Sequence, residues 1–307
     1  MISAVVLGAA AGGAFPQWNS NAPACKRARS GDRLAPSRTQ ASLAVSADGK
    51  NWTLLNASPD IRQQIEQTPV LQPQQGLRSS PIANVVLTGG DVDAIAGLLT
   101  LRERQPFTVL ATSTVHAVLD ANPIFEVLNR AIVIRRQLEL GVATPLTLTD
   151  GSPCGLSVEL FAVPGKVPLY LEASDEMPVL QEDGTTVGAA VSDGSATLFY
   201  IPGCAAMTPQ LASRLRGAAA VFFDGTLWSD DEMVRAGVGP KTGRRMGHMS
   251  VSGPDGTLAA FQGLGIRRRV LMHINNSNPI LLEDSPERAA VNAAGWDVAW
   301  DGMEIRL

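Results

Sequence analysis

The stretch ANVVLTGGDVDAIAGLL, residues 83–99, decides how the chain folds. Its first five residues, Ala83 to Leu87, are an apolar run suited to a buried strand, whereas the segment after Asp93 repeats apolar residues at helical spacing. A strand therefore runs into a helix through the link TGGDVD, and α/β proteins place polar site residues in such links, at the carboxyl ends of strands. The link has the frame of a metal-binding motif but contains no histidine. Asp91 and Asp93 can converge on a hard cation, or one of them can cap the helix that follows. Spacing alone favours capping.

Outward from this link, apolar runs predict strands over 4–7, 42–45, 52–55, 83–87, 108–111, 156–163, 197–201, 220–223, 270–274 and 296–300. Helical spacing predicts helices over 59–67, 93–104, 113–119, 124–130, 209–216, 229–236 and 286–294. Three helix starts share one punctuation, Ser58-Pro59, Thr208-Pro209 and Ser285-Pro286: a hydroxyl that accepts from free backbone N–H groups, then a proline whose missing donor had no partner. Ser229 and Glu232 have capping-box spacing, and Gly295 is placed to stop the last helix. Early strands have few helices between them and later strands alternate with helices, so the sheets are expected to be mixed. Residues 140–195, rich in Pro, Gly, Asp and Thr, are expected to supply long functional loops. With no internal repeat or linker, residues 1–307 read as a single domain.

Composition narrows the function. The chain is 45% hydrophobic, enough for a substantial core, and carries 25 Lys and Arg against 29 Asp and Glu. Its longest basic tract is Arg267, Arg268 and Arg269, which argues against nucleic acid as a partner, since phosphate binding relies on clustered positive charge. The apolar N-terminus, MISAVVLGAAAGGAFPQW, has no Lys or Arg before Lys26, so it lacks the charged start of a signal peptide and reads as a buried first strand. No run approaches the roughly 18 apolar residues of a membrane span. Cys25, Cys154 and Cys204 are scattered and odd in number, against a disulfide framework and in keeping with a reducing compartment. A soluble, cytoplasmic protein is expected.

Several residues are placed for chemistry. Gly8, Gly12 and Gly13 follow a strand, but their spacing is not GxGxxG and Pro16 stands where a phosphate-binding helix should run, so a tight turn is preferred over a nucleotide site. Asn56 and Asp60 lie near a strand's carboxyl end, either as site residues or, for Asp60, as a charge facing the helix dipole. Of three histidines, His273 leaves an apolar strand into the polar turn Asn275, Asn276 and Asn278; His248 sits in a loop with Arg244 and Arg245; His116 lies among apolar residues and reads as structural or surface. Asp224 ends a buried strand. Neither a GxSxG elbow nor a CxxC pair is present, which sets aside serine hydrolases and dithiol redox chemistry.

Taken in order, LGAAAGGAFPQWN, RTQASLAVS, LLNASPDIRQQI, LTGGDVDAIAGLLTLRE, FFDGTLWSDDEM, GVGPKTGRRMGH and HINNSNPILLEDSPER resemble the PqqB family of pyrroloquinoline quinone (PQQ) biosynthesis over essentially the whole chain. The resemblance implies a metallo-β-lactamase fold, an α/β architecture in which two mixed sheets form an αβ/βα sandwich flanked by helices. It further implies an iron-dependent oxygenase that hydroxylates the tyrosine of a glutamate-tyrosine precursor, alongside other proteins of the PQQ pathway. An older description of the family implies instead a non-catalytic carrier that helps move PQQ or its precursor to the periplasm. Enzyme and carrier both stand open here.

The chain departs from the family twice. Where the family continues its PQWN block with a CxCxxC run that holds a structural zinc, this chain has Ser20, Ala22 and Cys25, and a lone thiol predicts that this zinc is absent. Where the superfamily reads THxHxDH, this chain reads Thr88 to Ala94, so Ala94 replaces a histidine that the family commonly retains. By the resemblance, Asp91, Asp93 and His273 would hold iron, more weakly than a histidine-richer set, and too few nitrogen ligands remain for a dinuclear zinc hydrolase. His248 and Asp224 are the candidates for proton transfer, and Arg244, Arg245, Lys166, Asn275 and Asn276 for contact with the substrate and its carboxylates.

Overall fold

The computed structural model describes residues 1–172, 180 and 182–307. Its strands are β1 (Ser3–Gly8), β2 (Ser42–Ser46), β3 (Trp52–Leu55), β4 (Ile82–Val86), β5 (Phe107–Ala111), β6 (Val133–Gln137), β7 (Thr144–Thr147), β8 (Pro153–Ala162), β9 (Val187–Ser192), β10 (Thr197–Ile201), β11 (Ala220–Asp224), β12 (Arg268–Met272), β13 (Asp297–Val298) and β14 (Glu304–Arg306). They form two seven-stranded sheets, ordered β14-β1-β2-β3-β4-β5-β6 and β13-β12-β11-β10-β9-β8-β7. Both are mixed. In the first, β14 through β3 pair antiparallel and β3 through β6 parallel. The second mirrors this, with β13 through β10 parallel and β10 through β7 antiparallel.

Strand alternation explains why the sheets stack. Along β12, Val270 and Met272 join the central core between the sheets while Leu271 points to the outer layer; along β11, Phe222 faces inward and Val221 and Phe223 outward. Central positions also come from Val6, Leu43, Val45, Leu55 and Val86 of the first sheet, all fully buried. Each outer face is covered by helices: Ile61, Leu98, Val115 and Leu119 pack on the first sheet, and Leu211, Leu215 and Val291 on the second. This is the αβ/βα sandwich, and apolar burial on both faces of each sheet is what drives it together.

Local expectations held where caps are intact. Thr208 accepts from the Leu211 amide at 3.2 Å and Ser285 from the Arg288 amide at 3.0 Å, starting helices Pro209–Leu215 and Pro286–Ala293. Ser58 does not cap: its hydroxyl donates to Gln64, and the helix begins later, at Ile61. Only the glutamate half of the Ser229–Glu232 box forms, with Glu232 accepting from the Trp228 and Ser229 amides. The helix expected over 93–104 is only Val92–Ile95 followed by a 3-10 turn, Ala96–Leu99. Gly97 is the reason. Its amide donates to the Ala57 carbonyl, and a Cβ there would lie 2.1 Å from the Ser58 carbonyl oxygen, so close backbone packing replaces further helix.

Residues 140–195 contain β7, β8 and β9 besides the expected long loop, the connection from 163 to 186, which carries Lys166 and Glu172. Of that connection, 173–179 and 181 lie outside the described residues. Among the described residues no helix is long and apolar enough to cross a membrane, and the three cysteines are buried free thiols.

Candidate functional site

The site lies at one edge of the sandwich, where the carboxyl ends of β4, β11 and β12 meet. A cavity of about 440 Å³ opens there, lined by Asp91, Asp93, Ala94, His248 and His273 and by Asn56, Thr226, Lys166 and Asn275. That volume suits a small molecule. The first sheet contributes the two aspartates and the second the two histidines, so neither sheet holds the site alone.

Asp91 stands at the N-cap position of helix Val92–Ile95, but its side chain makes no capping bond, and neither carboxylate is spent on the helix end. Asp93 Oδ2 instead lies 2.8 Å from His273 Nε2. Below the link, Asn56 fixes the floor: its Oδ1 accepts from the Thr88 amide at 2.8 Å and its Nδ2 donates to the Thr88 hydroxyl at 2.9 Å. Asp60 is not part of the cavity; it accepts from the amide and side chain of Gln40.

β12 ends at Met272, two residues before the sequence suggested, because the φ of 57° at His273 takes the backbone out of the extended region and into the left-handed one. Such a conformation in a non-glycine residue is strained, and it persists where the surroundings fix it. Thr226 does so, with its hydroxyl 2.8 Å from His273 Nδ1 and 3.0 Å from the His273 carbonyl oxygen. The same hydroxyl donates to Asp224 Oδ1 at 2.6 Å. Asp224 Oδ2 stands 2.6 Å from His248 Nδ1 and accepts from the Cys204 amide at 2.8 Å, while Oδ1 also accepts from the Thr226 amide. The two imidazoles stack with centroids 5.2 Å apart.

Proton bookkeeping follows. Thr226 gives its one hydroxyl proton to Asp224, so it accepts from His273 Nδ1–H; with Nε2 facing a carboxylate, His273 carries both protons. Burial opposes that charge, but the Asp93 hydrogen bond and the charges of Asp93, Asp224 and Asp91 raise the His273 pKa above its ordinary value. Burial works against the Asp93 charge too, yet His273 holds Asp93 below the usual carboxylate range. Asp91 moves the other way, pushed up by burial and then by the neighbouring Asp93 charge. Burial and their mutual repulsion thus drive the two aspartates in opposite directions, and His273 selects Asp93 as its anionic partner.

Among the described residues, one set of three His, Cys, Asp or Glu side chains brings donor atoms within 4.8 Å of one another: Asp224, His248 and His273. Asp91 and Asp93 do not form such a set with His273. Asp224 nevertheless makes a poor ligand, because its two oxygens already receive four hydrogen bonds, about the full acceptor capacity of a carboxylate. It orients His248 Nδ1, leaving Nε2 without a partner among the described residues. The Asp93–His273 pair does fit a cation. Its 2.8 Å separation is close to the roughly 3 Å between adjacent ligands at bonds of about 2.1 Å, so a divalent ion can replace the proton that now lies between them.

The cationic wall differs from the expected one. Lys166 lines the cavity, but Arg245 is buried behind it and pairs with Glu172 of the cavity wall. Arg244 is exposed and borders a separate groove with Asp230, and Asn276 is buried against Gln17 and Cys25. Both are therefore outside the cavity. Thr226, Glu172 and Lys241, which sequence reasoning missed, are in it. Lys241 stands in the block GVGPKTGRRMGH and Thr226 in FFDGTLWSDDEM, the signals that could have marked them; Glu172 had none.

At the structural-zinc positions, Ser20 Oγ accepts from the Ala22 amide and Cys25 Sγ faces Asn276 Oδ1 at 3.7 Å, which offers one thiol and no second.

Comparison with known proteins decides the family. The β-lactamase superfamily domain matches residues 51–274. The coenzyme PQQ synthesis protein B of Gluconacetobacter diazotrophicus is 64% identical over 305 residues, covering 99% of each chain. The chain belongs to the coenzyme PQQ synthesis protein B family. Another family member, from Xanthomonas campestris, is 56% identical over 303 residues, covering 99% of each chain. The crystal structure of zinc-bound PqqB from Methylobacterium extorquens superposes with a TM-score of 0.94 at 51% identity, covering 99% of this chain and all of that one. A diphosphatase of the PhnP family, at 17% identity and a TM-score of 0.68, shares the fold alone.

Proposed function

We propose that this member of the PQQ synthesis protein B family hydroxylates the tyrosine ring of a glutamate-tyrosine precursor at a single iron. A role in PQQ biosynthesis goes with the family; the reaction is our reading of the site. It is carried by one observation: the Asp93–His273 pair, the His248 imidazole and the Lys166 ammonium share a cavity of small-molecule size.

Asp93 and His273, with Asp91 beside them, would hold the metal. Iron bound there supplies the activation of dioxygen. The chain's own residues do the rest. Lys166 and Lys241 attract the precursor's carboxylates, which orients the phenol toward the aspartates and histidines. His248 accepts the phenolic proton at Nε2 while Asp224, locked by Thr226 and the Cys204 amide, stabilises the resulting imidazolium. Asp224 is itself kept ionised: burial opposes its charge, but His248 and the Thr226 hydroxyl hold it below the ordinary carboxylate range.

The test is oxygen uptake by protein purified anaerobically, loaded with ferrous iron and given a glutamate-tyrosine dipeptide together with a two-electron reductant, whose electrons carry the second oxygen atom to water. Uptake matched by product one oxygen atom heavier supports the reading. No uptake, in a preparation where the Ala94→His variant does consume oxygen, would show that the native chain is not a catalyst.

One observation favours a carrier instead. Ala94 is buried at the cavity wall where the resemblance implies a histidine, so that ligand position is lost. A carrier binds PQQ or its precursor equally well with and without a chelator, which calorimetry distinguishes from metal-dependent binding.

A further inference from the structure

Glu172 is an oddly placed anion. Its side chain lines the same cavity as the histidines, and three cations converge on its one carboxylate: Lys166 Nζ lies 2.8 Å from Oε1, while Arg245 Nη2 lies 2.7 Å and Lys241 Nζ 3.4 Å from Oε2. The carboxyl pKa falls to about 2, chiefly through the Arg245 hydrogen bond and then through Lys166 and Lys241. Among the described residues, neither lysine has a second carboxylate within ion-pair distance. Two ammonium groups in a ligand-sized cavity therefore share one internal counter-ion. The placement of Lys166 is itself constrained: its stem runs against Gly247, whose φ of 83° ends helix Gly243–Met246 and where a Cβ would stand 3.1 Å from Lys166 Cγ.

We propose that Glu172 is an internal stand-in for a ligand carboxylate, and that Lys166 and Lys241 form a subsite selecting ligands with two carboxylates. The proposal rests on reading this cavity as the substrate pocket. Selection comes from counting charges. A ligand with one carboxylate only exchanges for Glu172, ion pair for ion pair, and gains little. A ligand with two gives each lysine its own partner, so the second carboxylate adds an ion pair that the empty pocket lacks. A neutral ligand cannot displace Glu172. Glu172 thus sets a threshold against monocarboxylates.

Three probes test this by calorimetry at fixed ionic strength, under argon: glutaryl-tyrosine with two carboxylates, N-acetyltyrosine with one and N-acetyltyrosinamide with none. In the wild type, glutaryl-tyrosine should bind at least tenfold tighter than N-acetyltyrosine. Glu172→Gln removes the competitor and should tighten both charged probes about tenfold, because affinity is reduced by the fraction of protein in the plugged state; the neutral probe should not change. Lys241→Gln should cost glutaryl-tyrosine more than N-acetyltyrosine. If Glu172→Gln fails to fold, Glu172→Asp, which keeps the charge at shorter reach, should shift affinity in the same direction by less. Unchanged or weaker binding of glutaryl-tyrosine by a folded Glu172 variant means that Glu172 only organises the lysines, and overturns the proposal. Oxygen is absent throughout, so a failed hydroxylation assay leaves this result standing, and a failure here leaves that assay untouched.

Discussion

Thr226 is where the site is most concentrated. One hydroxyl touches Asp224 and His273 and lies 3.1 Å from His248 Nδ1, so it fixes the tautomers of two imidazoles and the left-handed backbone of one. Thr226→Val keeps the shape and removes the hydroxyl. Buried acceptors and donors left without partners cost about 1–3 kcal/mol, read as a lower urea midpoint. Loss of ligand orientation should weaken ferrous-ion binding by roughly 10–100-fold, measured anaerobically. A variant with the expected loss of stability but wild-type metal affinity would place Thr226 in the scaffold alone. Sequence reading found the acidic and imidazole members of this network because strand ends exposed them; Thr226 lies two residues past Asp224 in the block FFDGTLWSDDEM, but its role took shape only when the fold set β11 beside β12.

Elements were legible wherever local chemistry alone decides them. The strands at 52–55 and 197–201 appear as expected, and the Thr208 and Ser285 caps form. Thr208→Ala should therefore lower stability by about 1 kcal/mol, seen by urea titration, and leave affinity for anionic probes unchanged, since the cap lies outside the cavity. Four strands were missed, each for a physical reason. β6 is VIRRQ, with polar residues at an edge; β7 is TPLT, short and holding a proline; β9 is VGAAVS, small residues buried in the second sheet; β14 has three residues. Pairing with a neighbour supplies what their own propensity does not. The shortened helix after Asp93 has the opposite cause, since Gly97 gives up helix for contact with the 57–58 backbone.

At the scale of the molecule, the two sheets contribute opposite sides of the site, so an ion between Asp93 and His273 clamps them together. Ferrous iron at 100 times its dissociation constant should stabilise the fold by about 2.7 kcal/mol, a rise in melting temperature on the order of 5 °C. Chelator should reverse the rise, and Asp93→Asn should abolish it. The chain's end is tied to its start by Asp301, which accepts from the Thr39 amide at 2.7 Å. Burial pushes its pKa to about 6, against 3.8 unfolded, despite the Thr39 bonds and Arg38. The folded state thus holds its proton more tightly. Its contribution is fully present below about pH 4 and is lost as pH rises through about 6. Asp301→Asn should flatten that decline, as the difference between the two stability profiles will show.

The sequence by itself determined the mixed-sheet α/β architecture, the family, and the pairing of Asp91 and Asp93 in a strand-to-helix link, because burial periodicity and motif order are written locally. Only the tertiary structure decided which polar residues meet. It paired Asp93 with His273, 180 positions apart, spent Asp224 on orienting His248, removed Arg244 and Asn276 from the cavity, and brought in Thr226, Lys241 and Glu172. Electrostatic contacts act over a few ångströms in space, and the distances that govern them exist only once the two sheets have closed.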